Sequence, residues 1–128
     1  MSGAAGVHVG QEDLPAEDAR TVVGPELVVG LSTHDTGQVE RALTLPIDYL
    51  AVGPIFATGT KDTGYAPRGL DLVRLAAGRG KPVVAIGGIT LTAAVQVIEA
   101  GATAVAVISD LMTGSPGDRV RAYLRALA

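Results

Sequence analysis

The sequence predicts an α/β fold in which parallel strands alternate with helices, and three observations lead to that class. Two short apolar, β-branched runs, at 83–86 and 104–108, stop abruptly in Gly or Ser and lead into helical patterns. Uninterrupted apolar runs of this kind are typical of strands buried on both faces of a parallel sheet. A composition of 48% hydrophobic and 3% aromatic residues, with 17 glycines, favours closely packed α/β layers over a sandwich of aromatic pairs. At 128 residues, we expect residues 1–128 to form one domain with its own core.

The amino-terminal half contains three predicted strands and two predicted helices. The strands span 7–9, 27–31 and 48–52, and the helices span 16–23 and 36–43. Pro15 opens the first helix at a position where its missing N–H costs nothing. Asp35 and Thr36 are both suitable N-cap residues for the second helix. A long polar loop rich in Gly and Thr, at 58–68, follows the third strand, and loops of this length at strand ends tend to be lids or binding loops.

The carboxyl-terminal half continues the same alternation. Its strands are predicted at 82–86 and 105–108, and its helices at 70–78, from Thr90 or Thr92 to 100, and at 118–127. Strands that alternate with helices form parallel βαβ units with right-handed crossovers. Five such units could form a small open doubly wound sheet or most of an eight-stranded barrel. An eight-unit barrel usually needs at least about 200 residues, so a barrel would lack its first three units in this chain.

Composition and charge exclude several functional classes. The net charge of -3, without a basic cluster, argues against nucleic acid as a partner. The absence of cysteine excludes disulfides and thiolate metal sites. No apolar run approaches the roughly twenty residues that cross a bilayer, and the start lacks the features of a signal peptide. We therefore expect a cytoplasmic protein that does not bind membranes.

A glycine pair, Gly87 and Gly88, follows the strand at 82–86. Glycines at the end of a buried strand let backbone N–H groups approach an anion beside a helix N-terminus. In β/α barrels the loops after the last two strands commonly bind a substrate phosphate. The alternative interpretation is a tight βα turn with no ligand.

Two further segments carry candidate binding residues. The run Thr58-Gly59-Thr60-Lys61 offers hydroxyls, backbone N–H groups and a compact cation to phosphate oxygens, or it is an exposed loop with a solvated lysine. Asp13 lies just past a strand end, where a carboxylate can bind Mg²⁺ together with substrate phosphates. Its alternative role is a favourable interaction with the dipole of the following helix.

The remaining polar candidates lie near strand ends. Ser32 closes the second strand and could contact a substrate or satisfy a nearby backbone group. His34 could transfer protons or act as a hydrogen-bonding cap. His8, between two valines, is expected to be structural, and Asp110 is expected to be a cap or an ion-pair residue.

Four segments together resemble the thiamine-phosphate synthase family. They are GVHVGQEDL at 6–14, GLSTH at 30–34, GPIFATGTK at 53–61 and AIGGI at 85–89. The resemblance runs the length of the chain in the family's order and spacing, but it covers only the carboxyl-terminal five βα units. It implies a partial (β/α)8 TIM barrel and an enzyme that joins hydroxymethylpyrimidine diphosphate to a thiazole phosphate, with release of pyrophosphate. The family's earlier strand ends, which hold much of the pyrimidine diphosphate and a second magnesium ligand, have no match.

The resemblance also implies roles for individual residues. The thiazole phosphate is expected to contact Thr58, Gly59, Thr60, Gly88, Ile108 and Ser109. Lys61 would hold the diphosphate, Ser32 would contact substrate, and Asp13 would bind Mg²⁺. Lys61 and Ser32 are therefore the expected catalytic residues. Gly59 departs from the Thr that is common at its position.

Two alternative functions remain at this point. A thiazole tautomerase on the same fold would use His34 for proton transfer and would have no diphosphate or metal to hold. A non-catalytic partial barrel would bind a phosphate or a complementary chain. Open edge strands and exposed apolar surface predict a homo-oligomer or pairing with a complementary amino-terminal segment.

Overall fold

The computed structural model describes residues 2–59 and 64–128, in which strands and helices alternate. The strands are β1 Gly6–Val9, β2 Val28–Thr33, β3 Tyr49–Val52, β4 Val83–Ile86 and β5 Ala104–Ala106. The α-helices are α1 Ala16–Val23, α2 Thr36–Ala42, α3 Gly69–Ala76, α4 Leu91–Glu99 and α5 Pro116–Ala126, and a short 3₁₀ helix spans Ser109–Met112. The predicted alternation of strands and helices is confirmed.

The order of the strands decides between the two architectures that the sequence left open. The five strands form one sheet in the order β1-β2-β3-β4-β5, and every neighbouring pair is parallel. A doubly wound sheet reverses its strand order at a switch point, whereas a β/α barrel adds each strand next to the preceding one. The chain therefore forms a partial β/α barrel of five units.

The core lies between the sheet and its helices. Alternate strand residues face the helices and are almost fully buried, among them Val29, Leu50 and Val83 at 0%, 0% and 1% exposure. They belong to one apolar cluster with Val39 of α2 and Val73 of α3. Since a strand has a period of two, the residues between them face the opposite side, which is the barrel interior.

Arg20 connects α1 to the amino-terminal end of the sheet through hydrogen bonds and an ion pair. Its guanidinium donates to the carbonyl oxygens of Pro46, Gly24 and Leu27 at 3.1, 3.0 and 2.6 Å. It also pairs with the Asp48 carboxylate, which in turn accepts the Val29 N–H at 2.7 Å. This single side chain connects α1 to the segments that lead into β2 and β3.

The two outer strands leave apolar surface exposed. Within the described residues, β1 and β5 each pair with a strand on one side only. Beside β5 lies an apolar groove of about 520 Å³, which Val105, Leu111, Tyr123 and Leu124 help to line. Leu124 is 67% exposed.

Local signals fixed most element ends. Asp35 caps α2 by accepting the Gln38 N–H at 2.8 Å, and Thr90 caps α4 by accepting the Ala93 N–H at 3.3 Å. The last strand is shorter than predicted, since pairing with β4 ends at Ala106, and the 3₁₀ helix that follows was not predicted. No helix among the described residues is long and apolar enough to span a membrane.

Candidate functional site

A cleft of about 270 Å³ lies at the carboxyl ends of β4 and β5. Its lining includes Thr58, Gly88, Ile108 and Ser109, all four of which the sequence placed in a phosphate site. A neighbouring depression of about 250 Å³ shares Thr58, Gly88 and Ser109 and adds Gly59. The fold thus gathers five predicted residues from three separate segments of chain. Thr60 and Lys61 lie outside the described residues.

Close backbone packing explains the glycine at position 88. Gly88 has φ +65, and a Cβ built there would fall against the carbonyl oxygen of Ala57 and 2.9 Å from the carbonyl carbon of Phe56. The Phe56 N–H donates to the Gly87 carbonyl at 3.1 Å, so the loop after β3 lies directly on the end of β4. The glycine pair therefore makes a tight turn and also admits a second backbone segment to the floor of the cleft.

The outer wall of the cleft is apolar and accessible. The Ile108 side chain is 68% exposed, and Ser109, also exposed, begins the 3₁₀ helix directly after it. An apolar side chain beside a hydroxyl can accommodate a ring that carries a polar group.

Asp110, which directly follows Ser109, belongs to a hydrogen-bond network that the sequence did not predict. Its carboxylate accepts the backbone N–H of Leu91 at 2.9 Å, at the first turn of α4. It also accepts bonds from Arg119 Nη2 at 2.9 Å and from the Tyr123 hydroxyl at 2.6 Å. Hydrogen bonding from Arg119, more than any other cause, holds the pKa of Asp110 below its usual value. Of the two expected roles, the ion pair is confirmed, whereas the N-cap residue of α4 is Thr90 and that of the 3₁₀ helix is Ile108.

Ser32 belongs to a different group of polar side chains on the barrel interior. Its Oγ lies 2.7 Å from Nε2 of His8, whose Nδ1 lies 2.8 Å from the Tyr49 hydroxyl. Tyr49 reaches His8 by passing over Gly30, the residue between them in the strand register. Partial burial lowers the pKa of His8, and the negative charge of Asp13 opposes this.

His8 was expected to be structural, and its hydrogen bonds to Ser32 and Tyr49 agree with that, although the sequence did not show which partners it contacts. The signal that could have found these partners is the period of two along each strand. His8 and Gly30 are register partners, and Ser32 lies two residues beyond Gly30 on the same face.

Asp13 is placed at the carboxyl end of β1 as predicted. Its Oδ2 accepts the Gly10 N–H at 2.7 Å and closes the turn after the strand. The cap position of α1 is occupied by Pro15. Within 2–59 and 64–128, no group of three or more His, Cys, Asp or Glu side chains is arranged to hold a metal ion.

His34 borders the cleft and has defined hydrogen bonds. Its Nδ1 lies 2.7 Å from the carbonyl oxygen of Gly53, and since a carbonyl can only accept, Nδ1 carries the proton. Its ring stacks on Tyr65 with centroids 4.0 Å apart, and its backbone N–H donates to Gln38 Oε1 at 2.7 Å. These contacts describe a residue that joins the end of β2 to the end of β3.

A parallel sheet whose strands follow one another in chain order, with a cleft at the carboxyl ends of its strands, defines a β/α-barrel protein. Comparison with known proteins identifies the family. The thiamine monophosphate synthase family matches residues 1–111, and the chain belongs to this family. The resemblance seen in the sequence is therefore confirmed.

Individual relatives agree with this assignment. Thiamine-phosphate synthase of Koribacter versatilis is 51% identical over 129 residues, which cover 98% of this chain and 60% of that protein. Thiamine-phosphate synthase of Caldicellulosiruptor saccharolyticus is 43% identical over 113 residues, covering 88% and 51%. Thiamine phosphate pyrophosphorylase from Pyrococcus furiosus superimposes with a TM-score of 0.82 at 30% identity, covering 98% and 62%. The chain thus spans 60% or less of these two curated relatives, whose names do not favour the tautomerase or the non-catalytic alternative.

Proposed function

We propose that this chain forms the thiazole phosphate half of a thiamine-phosphate synthase, a transferase of thiamine biosynthesis. The observation that carries the proposal is the meeting of Thr58, Gly88 and Ser109 around one cleft at the carboxyl ends of the strands. Family membership supplies the reaction: hydroxymethylpyrimidine diphosphate is joined to the thiazole phosphate, and pyrophosphate is released.

Each part of the cleft has a proposed task. Backbone N–H groups beside the first turn of α4 and the hydroxyls of Thr58 and Ser109 bind the phosphate. The exposed side chain of Ile108 packs against the thiazole ring. Gly59 contributes backbone only, and its neighbour Thr60 adds a hydroxyl.

Ser32 is proposed to contact the pyrimidine, with its hydroxyl oriented by His8. The hydrogen bond between these side chains, at 2.7 Å, holds the Ser32 Oγ in place on the barrel interior. Lys61 is proposed to hold the diphosphate as a compact cation. Ser32 and Lys61 are the proposed catalytic residues.

The reaction needs positioning and charge neutralisation more than proton transfer. The bond between the pyrimidine methylene carbon and the diphosphate oxygen breaks, and the electron pair leaves with pyrophosphate. The thiazole nitrogen then supplies the pair that forms the new C–N bond. No general base is required, so His34 is assigned a positional role. Binding both partners close together accounts for much of the proposed acceleration.

Mg²⁺ is the proposed cofactor, with Asp13 as its protein ligand in this chain. Mg²⁺ is commonly bound by one or two carboxylates together with waters and substrate phosphates, so a single carboxylate at the end of β1 fits such a site. The ion would neutralise charge on the departing diphosphate.

The exposed groove beside β5 and the open edges of the sheet support a partner of the same fold. We propose that a complementary amino-terminal segment, or a second copy of the chain, covers them. On this proposal residues 1–128 are one domain of a cytoplasmic enzyme, and the isolated chain makes no thiamine phosphate at a useful rate. Incubation with both substrates and Mg²⁺, with and without a segment carrying three further βα units, tests this. Turnover by the isolated monomer at the rate of the paired protein would refute it.

The binding site itself is tested by calorimetry with thiazole phosphate. Ser109→Ala and Thr58→Val should each weaken binding about tenfold by removing one hydrogen bond to a charged group. Lys61→Ala should weaken binding of pyrophosphate with Mg²⁺ more than binding of thiazole phosphate. The exposed Arg74→Met, on α3, is the matched control. Unchanged affinity in both hydroxyl variants would contradict the assignment.

A further inference from the structure

The depression that contains Gly88 and Ser109 also contains Asp110. A carboxylate beside a phosphate is unfavourable, because two negative charges at short range repel each other. Yet the Asp110 side chain is only 11% exposed and is hydrogen-bonded on several sides, so its position is fixed by the fold. A phosphate site next to this residue needs the charge of Asp110 to be cancelled.

Arg119 is placed to cancel it. The guanidinium donates to Oδ1 and Oδ2 of Asp110 from Nη2, each at 2.9 Å, and to Oδ2 from Nε at 3.2 Å. Nε also lies 3.3 Å from the Asp110 backbone oxygen, so the pair closes around the start of the 3₁₀ helix. Arg119 comes from α5, nine residues further along the chain, and shares the Oδ2 oxygen of Asp110 with the Leu91 N–H.

We propose that Arg119 is a positioning residue of the phosphate site. It neutralises the charge of Asp110, so that this carboxylate can connect α4 to α5 beside the site without repelling the anion. The inference rests on the proposed function and assigns a task to a residue outside the cleft. Asp110 joins the first turn of α4 to α5 through Leu91 and Tyr123, and Ser109 is its direct neighbour. Because Arg119 cancels the charge of Asp110, this connection between α4 and α5 presents no net negative charge to the ligand.

The test is a cycle of four proteins: wild type, Arg119→Met, Asp110→Asn and the double variant. Affinity is measured by calorimetry for thiazole phosphate and, separately, for the same thiazole alcohol without its phosphate. Arg119→Met should weaken binding of the phosphate compound about tenfold, because the carboxylate charge is uncovered. The double variant should return to within about threefold of wild type, and Asp110→Asn alone should bind as tightly as wild type or more tightly. Affinity for the uncharged alcohol should be the same in all four proteins.

A purely structural role for the pair predicts different results. In that case Asp110→Asn would weaken binding, the double variant would be no better than Arg119→Met, and the alcohol would lose affinity as well. Arg121→Met is the matched control, because Arg121 lies on the same helix in an exposed pair with Asp118. If wild type binds neither thiazole phosphate nor inorganic phosphate, the proposed function and this inference are both overturned. If wild type binds thiazole phosphate and Arg119→Met binds it equally well, only the inference is overturned.

Discussion

Replacing Gly88 with alanine should destabilise the protein and close the cleft. The new Cβ would meet the carbonyl groups of Ala57 and Phe56, both backbone, which cannot move aside as a flexible side chain could. The positive φ of +65 adds about 1–2 kcal/mol for a residue with a Cβ. Displacing packed backbone adds about 1–3 kcal/mol, as in other overpacked sites. The expected loss of unfolding free energy is therefore about 2–5 kcal/mol, a large part of the roughly 5–15 kcal/mol of a typical domain.

Gly59, on the loop after β3 that packs against Gly88, provides the matched control. A Cβ at Gly59 has no atom within 4 Å, so Gly59→Ala should change stability by less than about 0.5 kcal/mol. Urea denaturation followed by circular dichroism measures both variants, and calorimetry measures their affinity for thiazole phosphate. Equal unfolding midpoints for Gly88→Ala and Gly59→Ala would refute the argument from backbone packing. Gly88→Asp would not be a suitable test of charge at the site, because its Cβ would displace the loop after β3 in the same way.

Three further outcomes are expected. Arg20→Met should lower the unfolding free energy by about 2–3 kcal/mol, because it removes hydrogen bonds to three carbonyls and the ion-pair partner of Asp48. The exposed Arg74→Met should change it by less than about 0.5 kcal/mol in the same urea titration. Below about pH 6.5 stability should fall as the pH decreases, because burial lowers the pKa of His8, and the unfolded chain then binds a proton that the native state does not. Thermal unfolding in a pH series should show a weaker decline in His8→Gln than in wild type, and parallel curves for the two proteins would contradict this prediction. Gly59→Thr should fold normally and should bind thiazole phosphate at least as tightly as wild type, because the added side chain enters open space beside Thr58. A loss of affinity by calorimetry would contradict the proposed path of this loop.

The strands and helices could be predicted from the sequence, because the patterns that indicate them are local. Apolar runs and caps such as Asp35 and Thr90 act within a few residues of their own positions. The placement of Gly88 and Ser109 in one cleft was also predictable, because each follows a strand, and parallel strands end at one edge of the sheet. Their meeting in one cleft is confirmed, whereas their ligand remains a prediction.

The parts that could not be predicted depend on contacts between distant segments. The hydrogen bond between His8 and Tyr49 requires the register of three strands and the absence of a side chain at Gly30, over which the Tyr49 ring lies. The pairing of Asp110 with Arg119 depends on how α5 is set against the end of β5, which a 3₁₀ helix determines. The choice between a doubly wound sheet and a barrel likewise needed the order of the strands, which local patterns do not contain.

The position of the cleft on the outer edge of the sheet has a consequence for local opening. β5 has three residues and, among the described strands, pairs only with β4, so its amide protons should exchange through small fluctuations that leave β2 and β3 intact. Ile108 and Ser109 belong to the segment that would open in those fluctuations. A bound ligand would add its binding free energy to the closed state, so that these local openings would become rarer. Protection of the β5 amides would then record occupancy locally, at the edge that carries the cleft, alongside a rise in the global unfolding temperature.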